Sequence, residues 1–198
     1  MPVDSALLDI ETLGTHADSV VLSVGIVAVD STKDYTYDEL IKNGFYKTLQ
    51  VKPQVDAGRS IQKSTLDWWG TQGTDAMSVL KPSSDDIHHT KLIEDIIDYF
   101  DSMGVNKKTV KVYARGSHFD FSILHDLFRK TCGIDQDKMP WNFWNIHDSK
   151  TVIETLLDKR IDVKPEGFIH HNALHDAARE YMNIQIAIYE FQKTLDQR

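Results

Sequence analysis

The sequence predicts an α/β fold, a mixed β-sheet layered with helices on both faces. Three observations lead to it. Ala6 to Ile10 and Val20 to Val29 (VVLSVGIVAV) are apolar and β-branched, and read as consecutive early strands. Asp85 to Met103 places Ile87, Leu92, Ile96, Ile97 and Phe100 at helical spacing, and Gly104 ends it. Thr109 to Arg115 (TVKVYAR) then alternates as a strand does. Consecutive early strands fit a meander, and later strands separated by helices fit parallel crossovers.

The remaining elements follow in order. Phe45 to Val51 is a third strand. Ser64 opens a short helical stretch, with Asp67 three residues on in an S/T-x-x-D cap. Asp75 to Pro82 is a second short helix and loop. Phe121, Leu124, Leu127 and Phe128 mark a helix that stops before Gly133, and Asp148 to Leu157 is a shorter one. From Asn172, the residues Ala173, Ala177, Tyr181, Ile184, Ile188 and Phe191 line one face of a terminal helix.

The chain has 198 residues, 41% of them hydrophobic and 26% charged, without repeats or long linkers. That fits one domain over residues 1–198 with one sizeable core. No stretch approaches the ~20 apolar residues that cross a membrane, and Met-Pro-Val-Asp-Ser has neither the basic nor the apolar region of a secretory signal. The single cysteine, Cys132, excludes an internal disulfide framework and points to a reducing cytoplasm. The net charge of −8 is unusual for a nucleic-acid binder. Either nucleic acid is not the ligand, or part of the acidity is a metal site that cations neutralise. The motifs favour the second reading.

Asp9 and Glu11 stand at i and i+2 on a strand, so both side chains point to one face. Two adjacent acids repel unless something positive lies between them, and a divalent metal is the natural partner of carboxylate oxygens. The bland alternative is a strand end reaching solvent. Arg115-Gly-Ser-His-Phe-Asp120 joins a strand to a helix, where open sheets place their sites; Asp120 could equally serve the helix dipole alone. His171-Asn-Ala-Leu-His-Asp176 opens the last helix. A histidine there is disfavoured as imidazolium, which suits a general base, although a plain cap or surface residue fits too. His171 and His175 could pair on zinc, but Asn172 stands where a zincin has glutamate. His88, His89 and His170 read as surface residues.

Asp9-x-Glu11, Asp120 and His171-x4-Asp176 together resemble the DEDDh 3′-5′ exonucleases, in order and spacing, over most of the chain. Asp9-Ile-Glu-Thr-Leu-Gly14, Ser64-Thr-Leu-Asp-Trp-Trp69, Ala114-Arg-Gly-Ser-His-Phe-Asp120, Phe143-Trp-Asn145 with Asp148, and His171-x2-Leu-His-Asp176 look closest to the phage exonuclease A group and related small bacterial exonucleases. The resemblance implies a ribonuclease-H-like fold. It implies that Asp9, Glu11, Asp120 and Asp176 hold two Mg²⁺ or Mn²⁺ ions, with His171 as general base, and that the enzyme releases 5′-mononucleotides from a 3′ end. A phage origin would place it in the host bacterial cytoplasm. Many members of the superfamily are dimers, which makes a homodimer an expectation.

Substrate contacts are expected at Thr12 and Leu13 beside the terminal nucleotide, and at Trp68 and Trp69. One of these indoles is to stack on a base and the other to pack inside. Arg115 is to reach a phosphate or hold the acidic site. Trp141 and Trp144 are to lie in the core or at an interface, and Asp148 is to support the site. The exonuclease A likeness favours single-stranded DNA, and the bacterial relatives favour RNA. Two readings of other classes stand beside this one: a hydrolase of small phosphoesters or short oligonucleotides, and a non-catalytic nucleic-acid-binding module.

Overall fold

The computed structural model describes residues 3–197. Five strands, β1 (Ser5–Thr12), β2 (Val21–Val29), β3 (Phe45–Thr48), β4 (Lys111–Ala114) and β5 (Ile146–Asp148), form one sheet in the order β3-β2-β1-β4-β5. The first three are antiparallel neighbours; β4 runs parallel to β1, and β5 parallel to β4. The helices are α1 (Tyr37–Asn43), α2 (Val51–Asp56), α3 (Lys63–Trp69), α4 (Leu92–Ser102), α5 (Ser117–Cys132), α6 (Ser149–Leu157) and α7 (Ala173–Asp196). No described helix is long and apolar enough to cross a membrane.

β1 is the central strand and is covered on both faces, so apolar residues point to both sides of it. Ala6, Leu8 and Ile10 pack with Leu92 and Ile96 of α4 and Leu124 and Phe128 of α5. Leu7 packs on the opposite face with Tyr37 of α1, Ile153 of α6, and Ala177 and Tyr181 of α7. Asp9 and Glu11 continue the Leu7 set by the two-residue period. Two acids therefore lie on the α7 face, at the end of the central strand.

Gly25 brings α7 close enough to meet them. It pairs with Asp9 across the β1–β2 ladder. A Cβ at this position would lie 2.2 Å from the carbonyl carbon of Ala173 and 2.2 Å from the amide nitrogen of Leu174. The first turn of α7 thus rests on bare strand backbone. Any larger residue would push the helix off the sheet.

Several boundaries differ from the sequence reading. The third strand ends at Thr48 rather than Val51, because Val51 starts α2. The sequence reading has neither α2 nor α1; α1 carries a capping box between Thr36 and Glu39. Ser64 does not cap α3: the helix starts at Lys63 after Gln62, and Asp67 pairs with Lys63 at 2.6 Å. The stretch Asp75 to Pro82 contains a 3₁₀ turn, Ala76–Leu80. The helix expected from Asp85 begins at Leu92, because Ile87 bridges to Leu49 instead. Asp148 closes strand β5, which was not foreseen, and caps α6 through Thr151.

Gly25→Ala should cost about 1–3 kcal/mol of stability, as overpacking against backbone does, and lower the thermal midpoint by roughly 3–10 °C. Gly73→Ala, with nothing within 4 Å of the added carbon, should leave it nearly unchanged. Thermal unfolding by circular dichroism checks both.

Candidate active site

Three separate segments bring the acidic residues to one place. β1 supplies Asp9 and Glu11. β4 pairs with β1 only over Ser5 to Leu7, so the β1 edge beyond Leu7 is free of it. Asp120 enters there from the first turn of α5, and its Oδ1 accepts the Ile10 N–H at 3.2 Å. Gly116, at φ 78°, makes the sharp turn from β4 into α5. Asp148 holds that turn by accepting the Gly116 and Ser117 N–H groups at 2.7 and 3.0 Å. Asp176 comes from the first turn of α7, where the helix dipole favours a carboxylate.

His171 stands just before α7 at φ 58°, left-handed for a residue with a side chain. Its backbone N–H donates to Asp176 Oδ2 at 2.9 Å, and Asn172 caps the helix beside it. Ligand atoms of Glu11, His171 and Asp176 all lie within 4.8 Å of one another. The His171 ring is edge-on to Trp68, with centroids 4.8 Å apart.

The electrostatics follow from crowding acids in a buried space. Burial and the charges of Asp120, Glu11 and Asp176 hold Asp9 well above the usual carboxylate range. Glu11 is pushed up to about 8 by burial, with Asp176 and Asp120 adding to it. Asp120 is pushed up to about 8 by burial, although backbone hydrogen bonds oppose the shift. Asp176 is raised by burial and partly relieved by Arg179. Burial lowers His171 against the pull of Asp176, so its imidazole is neutral near pH 7. Beside Glu11 in the ladder stands Ser23, whose Oγ is buried with no hydrogen-bond partner among the described residues. Converging oxygen donors, one imidazole and an excess of negative charge fit a hard divalent cation.

The other expected residues divide. Thr12, Trp68 and Phe119 line an open cleft of about 410 Å³ next to Glu11, together with Gly14, Thr15 and Thr65. Trp68 is 42% exposed and Trp69 only 1%. The Trp69 indole N–H donates to the Thr12 carbonyl at 2.9 Å, so Trp69 is the indole that packs inside. Leu13 is buried with Trp69 and Leu22 rather than presented to the cleft, a correction to its expected place beside the terminal nucleotide. Arg115 pairs with Glu180 at 2.9 Å, and Ser149 and Asn183 complete the hydrogen bonds of that buried carboxylate. The pair joins α7 to the β4–α5 turn. His175 Nδ1 contacts the Tyr37 hydroxyl at 2.6 Å and accepts the Ile169 N–H at 3.2 Å, so this ring ties α7 to α1 and to the segment before His171. His89 is buried, not a surface residue, while His88 and His170 are exposed. Trp141 is buried and Trp144 is 70% exposed. A second groove, lined by Tyr113, Tyr181 and Ile188, contains none of the four carboxylates.

Sequence reasoning missed Arg179, Gly25, Ser23 and Phe119. Arg179 could have been found, since it stands three residues after Asp176, where helical side chains meet. Gly25 had no local signal.

Residues 4–188 match the family of the 3′-5′ exoribonuclease Rv2179c-like domain. The chain belongs to that family. It is a 3′-5′ exonuclease by this membership, and its fold agrees. It is 29% identical to the exodeoxyribonuclease of Enterobacteria phage T4, over 92% of this chain and 88% of that one. Cell-death related nuclease 4 superposes with a TM-score of 0.63 at 15% identity, over 96% of this chain and 65% of that one. E. coli exonuclease I in complex with a dT13 oligonucleotide superposes at 0.55 and 14% identity, over 98% of this chain. The chain spans 42% of that exonuclease I chain, so the likeness concerns one part of a longer protein.

The raised carboxylates give a pH-linked prediction. Their folded values, about 8 for Glu11 and Asp120, exceed the unfolded values near 4. The stability they contribute is present below about pH 4 and is lost as pH rises to about 8. In EDTA the thermal midpoint should therefore fall from pH 5 to pH 9. Mn²⁺ should restore more of it at pH 8.5 than at pH 6, because cations and protons compete for the same oxygens. Melting curves at matched ionic strength read both effects.

Proposed function

We propose that this protein is a metal-dependent exonuclease that shortens single-stranded nucleic acid from its 3′ end and releases 5′-mononucleotides, with DNA preferred to RNA. Asp9, Glu11, Asp120 and Asp176 would hold two divalent ions, Mg²⁺ or Mn²⁺. The observation that carries this reading is the clustering of Glu11, Asp176 and His171 within 4.8 Å of one another, with Asp9 on the same strand face as Glu11 and Asp120 hydrogen-bonded to the intervening Ile10, beside an aromatic-lined cleft. Bound ions would supply charge stabilisation for the phosphate and acidify the attacking water. The −8 charge is consistent with this, since cations held by the acids meet the phosphate charge instead of lysines.

The protein's own groups divide the remaining work. His171, neutral and within reach of Glu11 and Asp176, takes the proton from the attacking water as general base. Trp68 offers an exposed indole on which a base stacks without regard to sequence. Thr12 and Phe119 border the same cleft and would position the terminal sugar and base. DNA is supported by the phage relative, an exodeoxyribonuclease matched over most of both chains. The family description as an exoribonuclease favours RNA as the second reading.

Digestion of a 5′-labelled single-stranded DNA and the matching RNA, with Mg²⁺, Mn²⁺ or EDTA, tests this. A metal-dependent ladder shortening from the 3′ end, faster on DNA, is expected. Faster RNA shortening would reverse the substrate preference. No shortening of either would refute the proposal and return the site to a binding role or to small phosphoesters.

Kinetics of two variants separate the roles. His171→Ala should reduce kcat by ~10²–10⁴, as loss of a general base does. Trp68→Ala should mainly raise KM, by about five- to a hundredfold for a lost stacking contact of ~1–3 kcal/mol. A kcat within threefold of wild type for His171→Ala would remove it from that role.

A further inference from the structure

We propose that Arg179 is a positioning residue for this reaction, clamping the segment that ends in His171 onto the Asp176 carboxylate. The inference rests on the exonuclease reading of the site. Arg179 Nη2 lies 2.6 Å from Asp176 Oδ1, and Nη1 lies 3.6 Å from Asp162 Oδ1. Its guanidinium carbon sits 4.6 Å from the centre of the Phe168 ring. Asp162 and Phe168 belong to the irregular segment between α6 and α7, which runs into His171. The His171 N–H donates to the other oxygen of Asp176. One carboxylate is thus held by Arg179 on one oxygen and by the end of the segment on the other, while Arg179 grips the segment further back.

Two more ties bind the same segment to α7. The Val163 N–H donates to Asn183 Oδ1 at 3.1 Å, and the Ile169 N–H to His175 Nδ1 at 3.2 Å. Asp176, Arg179 and Asn183 lie at i, i+3 and i+7, along one stripe of the helix. The segment needs such anchoring. It has no ladder of its own, and it must keep His171 left-handed, a conformation unfavourable for a residue with a Cβ.

Charge argues for a geometric role. A guanidinium against a metal-holding carboxylate weakens the attraction for a cation, so any gain from Arg179 comes from placement. A planar fork that spans two carboxylates and stacks on a ring is beyond what lysine can copy. Removing charge alone would tighten metal binding. Removing the clamp would loosen it and slow the chemistry.

The experiment compares the full chain as wild type, Arg179→Ala, Arg179→Lys and Asp162→Asn. Mn²⁺ binding is read by calorimetry, and kcat and KM on a single-stranded 3′ end. Arg179→Ala should lower kcat by about 10–100-fold and weaken Mn²⁺ binding by about 3–10-fold, the range for residues that orient ligands. KM should stay within about threefold. Arg179→Lys should recover only part of kcat. Asp162→Asn, which leaves the Asp176 contact in place, should lower kcat without changing Mn²⁺ affinity, and it decides the matter if Arg179→Ala does not fold. Unchanged or tighter Mn²⁺ binding by Arg179→Ala, or unchanged kcat in Asp162→Asn, overturns the clamp. Absence of metal-dependent cleavage by the wild type would instead remove the exonuclease reading, and the Mn²⁺ titration would still test the clamp.

Discussion

Mutual repulsion among Asp9, Glu11, Asp120 and Asp176 is the constraint on which the rest of the structure depends. Buried carboxylates resist ionisation, and like charges nearby strengthen that resistance. Here both effects act on the same groups, so Glu11 and Asp120 sit near 8 and Asp9 well above its usual range. Such a cluster does not assemble for stability. It has to be held by parts of the fold that are stable for other reasons. The covered central strand does this for Asp9 and Glu11, and helix first turns do it for Asp120 and Asp176.

The holding is distributed over contacts outside the acidic cluster. Asp148 fixes the turn into α5 through two backbone amides. The pair of half-buried Arg115 with buried Glu180 joins that turn to α7 and α6. Breaking such a pair from one side would strand a buried charge, which makes it a strong constraint on geometry even where it adds little net stability. Gly25 lets α7 come down onto the sheet opposite Asp9, so a missing side chain on β2 determines how near Asp176 comes to Glu11. A different stripe of α7, Asp176, Arg179 and Asn183, carries the segment that delivers His171.

The acidic pattern was legible in the sequence because chemistry of this kind needs particular residue types at fixed spacing, and the strand period placed Asp9 and Glu11 together without a structure. The sheet was legible where burial on both faces put apolar residues on both sides of β1 up to Leu8 and along β2. The short elements were not. The three residues of β5 carry too little pattern, and α2 starts where a β-branched Val51 suggests continued strand. Arg115 and Leu13 look like site residues by position alone, yet a distant glutamate and a small apolar cluster claim them. Trp68 and Trp69 are adjacent and chemically equal in sequence, and only packing separates the exposed indole from the buried one.

The central claim is that these four carboxylates form a divalent-metal site at the end of a strand-binding cleft. Diffraction from crystals soaked in Mn²⁺, recorded at the manganese absorption edge, tests it most directly. The account predicts two anomalous peaks among the side chains of Asp9, Glu11, Asp120 and Asp176, both lost in Asp9→Asn crystals. Anomalous density confined to other residues, or none at a Mn²⁺ concentration that supports cleavage, would contradict it.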